Sequence, residues 1–559
     1  MEKIFRIFSK ESGSVNQAAL LLGFFAFLSQ ILGLLRDRSI AHFIGPSPQL
    51  DAYYAAFRVP DLIFISIASI ASITVLIPFI SAKMQGGKVT AEARKFLDDV
   101  FTVFLAIMML SAIIIFFLLP HLVFFIAPGF TPALALKTIE LSRIMLLSPI
   151  LMGLSNLFGT ITQIFRKFFI FSLSPVFYNL GIIIGVIFFY PIFGIYGLAF
   201  GVVLGALMHF LIQVITSASC GFKAGFSRQI DFKSIKKVAI TSLPRTLGLA
   251  FNNIAEISIT AFASFMVAGS ISIFNFSFNL QGVPLSIIGV SYAVAAFPTL
   301  AQSVSEGQHS HFKEHLTSAA RSIVFWSMPA TFLFIVLRAQ IVRVILGSGS
   351  FSWDNTRLVA ASLAIFSTSV LAQGMISLLS RAYYAKGDTK KPLWVNFSCS
   401  ILIIFLAFVF MKMFEHIPMF QYFIESLLKV GDLHGTEVLM LPLAYSIGTI
   451  INFIFHWYFI RKDFMEGDSF ITKTFFQSLG ASFFLGVVSY ISLSIFTPIF
   501  GTTRFWGVFL EGFISGILGI AAAIIILYLL KSEELKALTQ TFHTKFWKAK
   551  IVAPEQEQL

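Results

Sequence analysis

Charged side chains are sparse in this chain and fall at a few places. Arg36, Asp37 and Arg38 close one long apolar run, Asp51 opens the next, and Arg58 lies two helical turns inside it. In an apolar setting such arginines can hold a phosphate or carboxylate, and the acids beside them can orient them or line an entrance. A second group lies in TSLPRTLGLAFNNIAEISITAFASF, which holds Pro244, Arg245, Asn252, Asn253 and Glu256. Arg245 and Glu256 share a helical face but stand three turns apart, about 16 Å along the axis, so they cannot pair with each other. Each requires another partner, water or a ligand. The plainer alternatives are an Arg245 that snorkels to the interface and a Glu256 that is protonated or paired with a neighbouring helix. The next apolar stretch, NFSFNLQGVPLSIIGVSYAVAAFP, adds Asn275, Asn279 and Gln281 beside Gly282 and Pro284, which predicts a cavity wall that bends. Glu140 and Arg143, three residues apart, predict a self-neutralised pair on a helix surface.

These groups sit in a chain of 559 residues that is 57% hydrophobic and 12% charged, with a mean hydropathy of +0.86. That composition excludes a soluble globular protein and gives an all-α, polytopic membrane protein. Apolar runs of about 20 residues, enough to cross a bilayer, recur about fourteen times. They lie near 16–40, 52–82, 97–126, 136–163, 169–191, 194–219, 239–267, 270–302, 319–346, 356–384, 392–412, 437–460, 474–497 and 505–530. The first run follows Lys3, Arg6 and Lys10 but has no small-residue cleavage site after it, so it reads as a retained helix rather than a signal peptide. Alternate loops carry most of the 40 Lys and Arg residues, which places both termini in the cytoplasm. Basic loops beside anionic head groups also account for the net charge of +13, so no nucleic-acid partner is needed.

Several chemistries lack a signature. There is no GxxxxGK[ST] loop for ATP phosphates and no GxSxG elbow, so transport would draw on gradients or membrane potential. His311, Glu314 and His315 spell an HxxEH string, but it sits in a short loop without a third ligand and reads as chance. Cys220 and Cys399 fall at a helix end and inside the membrane, which argues against a structural disulfide. No catalytic residue, metal site or cofactor is expected.

Two weak internal matches suggest a repeat. Pro78 and Pro298 lie 220 residues apart, and Pro175 and Pro392 lie 217 apart. The organisation expected from them is a basic lead-in over 1–15, an N-lobe of six helices over 16–219 and a linker over 220–238. A C-lobe follows over 239–460 with an outward insert near 413–436, then two further helices over 461–530 and a basic tail over 531–559. The insert, EHIPMFQYFIESLLKVGDLHGTE, is long enough for a short amphipathic helix, which suits either the membrane surface or a plain connection.

Taken together, LSQILGLLRDRSIAHFIG, LDAYYAAFRVPDL, IAPGF, FGTITQIFRKFFIFSLSPVFYN, AFASFMVAGSIS and SRAYYAKGDTKKP resemble, in order and spacing, the MurJ/MviN lipid II flippases of the MOP superfamily. The resemblance covers roughly residues 15–530. It implies fourteen helices in two lobes and a central cavity lined by the first, second, seventh and eighth. The lipid-linked substrate would enter from the inner leaflet of the bacterial cytoplasmic membrane and leave on the outer side by alternating access. A pyrophosphate needs cations in a low-dielectric cavity. Moving one negative charge outwards across 100 mV is favourable by about 2.3 kcal/mol.

By position, Arg36 and Asp51 match the elbow residues of the family and Arg58 a position that is basic in it, whereas Glu256 matches no ion-binding acid of the family. Read on their own chemistry, Arg36, Arg58, Arg245 and Asn279 are the expected substrate-binding residues, Asp37 and Asp51 the portal or gating residues, and Glu256 with Asn252 and Asn253 the candidate ion-coupling group. Departures from the family pattern fall on three cations and one acid: Gln30 stands for the first cavity arginine, Phe64 for another, Asn279 for the arginine of the eighth helix and Ser69 for a glutamate. The partners implied are an anionic, lipid II-like substrate and the membrane, around a monomer that works beside cell-wall synthesis enzymes. Two other functions stay open at this point: an H⁺- or Na⁺-coupled exporter of another lipid-linked glycan or amphiphile, and a transport-inactive scaffold.

Overall fold

The structure is a computed structural model that describes residues 15–68, 76, 79–80, 83, 90–165, 167–222, 225–464, 471–501 and 504–542, with side chains described from 24 onwards except at 241, 243–245, 247–252 and 541–542. Every element named below is helical. The chain opens with α1 (Val15–Phe43) and α2 (Pro48–Ile63). α2 starts where it does because Ser47 accepts a bond from the Leu50 amide and Pro48 occupies the first turn, where its missing N–H costs nothing. It runs into a π-turn over Phe64–Ala68, just after the internal Pro60.

Next come α3 (Ala91–Ile126), α4 (Pro132–Met145), α5 (Leu147–Ile164), α6 (Phe168–Ile184) and α7 (Tyr196–Ser219). Then follow α8 (Phe232–Ala263), α9 (Ser270–Pro284) and α10 (Ser291–Ser305). In the polar stretch after Asn275, where a bend is expected, the helix carries a π-segment, Leu285–Val290, directly after Pro284 and continues as one apolar stretch over Ser270–Ser305. The rest is α11 (His309–Val336), α12 (Arg338–Leu346), α13 (Trp353–Ser367), α14 (Val370–Ala385) and α15 (Lys390–His416). The chain continues with α16 (Pro418–Leu428), α17 (Met440–Phe464), α18 (Thr472–Phe500), α19 (Phe505–Leu529) and α20 (Glu533–Phe542).

Among the described residues ten helical stretches are long and apolar enough to cross a membrane, or eleven if α13 and α14 make one broken span. Parts of the runs near 16–40, 52–82 and 239–267 lie outside the described residues, as do Ser69 and Pro78. The protein is thus a multi-pass membrane protein of helical class.

The chain divides into two compact units, each made of discontinuous stretches. The first takes Met1–Val283, Val342–Phe366 and Gly387–Phe455; the second takes Pro284–Ile341, Ser367–Lys386 and His456–Leu559. In the first, one core gathers Val59, Phe96, Phe104, Met108, Leu154 and Phe158, and another gathers Ile259, Phe274, Phe366, Ile403 and Leu441. In the second, Phe325, Leu485 and Leu527 form a smaller core.

Within a bilayer there is no hydrophobic drive between helices, so close packing must do the work. α6, with the π-segment Gly185–Phe189 that continues it, and α7 show how: a Cβ on Gly181 would stand 2.2 Å from the Gly205 Cα, and one on Gly185 would stand 2.4 Å from the Gly201 Cα. Only glycine allows that approach. The predicted Glu140–Arg143 pair does not form. The Tyr196 hydroxyl donates to Glu140, and the Arg143 guanidinium lies 4.6 Å from the centre of the Phe116 ring. A hydroxyl and a ring from adjoining helices outcompete a neighbour on the same one.

Candidate functional site

Helical spacing puts Tyr54, Arg58 and Asp61 on one face of α2, Arg36, Asp37 and Ile40 on one face of α1, and Asn275, Phe278 and Asn279 on one face of α9. In the first unit these faces, with Tyr178 and Ile182 of α6 and Glu256 of α8, surround a cavity of about 220 Å³. Four of the residues expected to act on a substrate or gate it therefore meet in one place: Arg36, Asp37, Arg58 and Asn279. Glu256, expected to couple an ion, joins them.

Each cation is held. Arg36 Nε donates to Asp37 Oδ1 at 2.9 Å, and its Nη1 donates to Asn179 Oδ1 at 3.2 Å. Asp37, 3% exposed, accepts on its other oxygen from Asn279 Nδ2 at 3.0 Å. Asn279 thus steadies a carboxylate, the role an amide can fill where the family pattern has a cation. Arg58 donates to Thr260 Oγ1 at 2.9 Å, to Glu256 Oε2 at 2.7 Å and to Asn275 Oδ1 at 3.3 Å. Its ion pair is asymmetric, with side-chain exposures of 9% for Arg58 and 31% for Glu256. The partner that Glu256 required is therefore an arginine on α2.

Counted formally, the lining carries two guanidinium groups against the carboxylates of Asp37, Asp61 and Glu256. An anion entering here must take over donors now given to acids. One donor is idle: Tyr54 Oη is buried with no hydrogen-bond partner among the described residues. An orphan donor on a residue that lines a cavity is the kind of feature that a water or a ligand satisfies.

Asp51 lies elsewhere. Its carboxylate accepts from the Gly269 amide at 2.6 Å and from the Ser272 amide and hydroxyl at 2.8 and 2.6 Å. It caps the start of α9 from another helix and ties α2 to the α8–α9 turn. It also borders a second cavity of about 650 Å³, lined by Lys137, Tyr190, Phe130 and Met266 among others. Arg245 and Asn252 belong to α8, but their side chains lie outside the described residues; Asn253 is partly exposed on the same helix.

Sequence reasoning left out Asp61, Tyr54, Tyr178, Asn179 and Thr260. A signal for Asp61 was present, since it follows Arg58 by three and so shares its face. Asn179 and Thr260 offered none, because their value lies in reaching an arginine on a different helix.

With this geometry the comparison with known proteins is decisive. The model of the lipid II flippase MurJ family matches residues 40–420. The chain belongs to that family. Relatives include the probable lipid II flippase MurJ of Rickettsia prowazekii (strain Madrid E), 28% identical over 411 residues, which cover 72% of this chain and 79% of that protein. The probable lipid II flippase MurJ of Rhizobium tropici is 28% identical over 395 residues, covering 67% and 73%. A solved structure of the lipid II flippase MurJ in an inward closed conformation has a TM-score of 0.70 at 21% identity, covering 93% of this chain and 100% of that one. An inward-facing MATE-family multidrug transporter of the MOP superfamily has a TM-score of 0.62 at 16% identity, covering 79% and 97%. The fold is the one these flippases and MATE transporters share.

Proposed function

We propose that this protein flips lipid II, or a closely related undecaprenyl-pyrophosphate glycan, across the bacterial cytoplasmic membrane to supply peptidoglycan synthesis. The observation that carries this reading is that Arg36 and Arg58, on different helices, face one cavity inside the membrane-spanning body. Two planar forks lining one cavity from different helices suit the two phosphates of a pyrophosphate. On this reading phosphate oxygens replace Glu256 on Arg58, while Asp37, held by Asn279, keeps Arg36 aimed. The released Glu256 carboxylate, with Asn252 and Asn253 on the same helix, then takes up a proton or a sodium ion, since an unpaired charge at that depth is costly. Asp51 latches one end of the path and opens when α9 moves away; Arg245 guides the head group on its way in.

The same reading puts both termini in the cytoplasm, makes the protein a monomer of fourteen spans in two lobes plus two helices, and sets cell-wall synthesis enzymes beside its basic loops. Membership of a flippase family favours this function over a coupled exporter of other amphiphiles and over an inactive scaffold.

The test is rescue of bacteria depleted of their own lipid II flippase, with wild type and Arg36→Ala expressed to matched membrane levels. Rescue by wild type and failure of Arg36→Ala is expected. Failure of a well-expressed wild type would overturn the substrate, and equal rescue by Arg36→Ala would overturn the site.

A further inference from the structure

α16 is apolar on the side that it turns away from the protein. Its outward face carries Met419, Tyr422, Phe423 and Leu427, at 83, 73, 58 and 63% exposure, with Ser426 as the one polar member. Its inward face carries the buried Ile424, Phe420 against the Phe410 ring and the part-buried Gln421 and Glu425, with Glu425 accepting from Gln421 Nε2 at 3.0 Å and from Thr436 Oγ1 at 2.6 Å. A helix at a water-facing surface carries charged and polar residues on its outward face instead.

The position of α16 says what covers it. α15 is a membrane span whose exposed side is Ile401, Phe405 and Phe408. It ends on the polar group Lys412, Glu415 and His416, and after Ile417 alone the chain turns into α16. The outward face of α16 therefore begins at the level where the lipid-facing side of α15 leaves the hydrocarbon. Tyr422 and Phe423 are of the aromatic kind that settles at that depth.

The far end of the insert is pinned. Arg357 Nη1 donates to Asp432 at 2.6 Å and its Nη2 donates to the Lys429 carbonyl at 2.7 Å, and the Val267 amide donates to Glu437 at 3.2 Å. A connection needing only to span α15 and α17 has no use for such anchors.

We infer that α16 is an interfacial helix whose Met419–Leu427 face is seated in the lipid leaflet where α15 emerges. The occupant is the boundary between head groups and acyl chains, about 5–10 Å deep for helices of this kind.

The test uses the full chain in nanodiscs of phosphatidylethanolamine and phosphatidylglycerol, with Cys220→Ser and Cys399→Ala removing the native thiols. Spin labels are placed one at a time through Met419→Cys, Phe423→Cys and, as a control in the exposed loop, His434→Cys. The readout is label accessibility to oxygen, which concentrates in lipid, against a water-soluble nickel chelate. The expected result is a ratio of oxygen to nickel several-fold higher at 419 and 423 than at 434. A ratio at 419 and 423 equal to that at 434 would mean that the face meets water, and would overturn the inference. So would labels shielded from both reagents, which would mean that a protein or a second copy covers it. Because the readout is accessibility and not transport, it stands or falls apart from the flippase function.

Discussion

Glu256→Gln is the substitution that bears most directly on how the cavity receives an anion. The Arg58–Glu256 contact is 2.7 Å, and its acid is the more exposed member. At about 4 Å between charge centres and an effective dielectric of about 20, the attraction is about 4 kcal/mol before desolvation is subtracted. A glutamine keeps the shape and a neutral hydrogen bond but gives up the charge. Hydrogen bonds to charged groups contribute about 1.5–3 kcal/mol and neutral ones about 0.5–1.5, so the loss is about 1–2 kcal/mol. A phosphate competing for Arg58 should gain that amount, which is about 5- to 30-fold in affinity. The assay is equilibrium binding of a short-chain isoprenyl pyrophosphate to the purified protein in nanodiscs, run as a double-mutant cycle with Arg58→Gln. Tighter binding by Glu256→Gln is expected, and that gain should vanish when Arg58 is absent. Unchanged or weaker binding by Glu256→Gln, or effects that add within about 0.3–0.5 kcal/mol, would refute the idea that Glu256 holds the place of the substrate's phosphate.

Three further outcomes follow. Asp51→Ala removes every bond that the latch makes to Gly269 and Ser272, so a cysteine probe at Lys137 should become more reactive to an aqueous thiol reagent, whereas unchanged labelling would show that other contacts close that end. Gly201→Leu forces a side chain against the Gly185 backbone and should lower thermal stability in detergent by about 1–3 kcal/mol, the usual cost of overpacking; an unchanged melting temperature would contradict the close approach. Asp432 is held below the ordinary carboxylate range, chiefly by its hydrogen bond from Arg357. Its support for the insert is therefore fully present above the usual aspartate value of about 3.9 and is lost only as pH falls through its lowered value. Spin-label mobility at 434 should thus be flat from neutral pH down to about 5 and rise only in stronger acid, while Arg357→Ala should raise it at every pH.

What could be seen in the sequence and what could not divide along a physical line. A span is a local property of twenty or so residues, so the runs were visible without any contact being known, and so was the irregular turn after Pro284, because a missing N–H acts on its own helix. The face shared by Tyr54, Arg58 and Asp61 was available on the same terms. Pairings between helices were not. Arg58 finds Glu256, Thr260 and Asn275 through the rotation and height of α2 against α8 and α9, to which spacing within one helix is blind. The same blindness produced the Glu140–Arg143 expectation: spacing of three brings two residues to one face but cannot exclude a tyrosine or phenylalanine opposite.

The glycine contact between α6 and α7 has a mechanical consequence. Side chains that interdigitate can change rotamer and let two helices slip, but backbone laid against backbone has nothing to repack. α6 and α7 therefore act as a single girder, and α6 carries Tyr178 at the cavity wall and Asn179 as the acceptor for Arg36. Asn179 cannot be withdrawn from Arg36 by sliding α6 along its neighbour. It leaves only if the girder moves as a piece or if α1 moves away from it, so the grip on Arg36 registers the position of a whole helix pair.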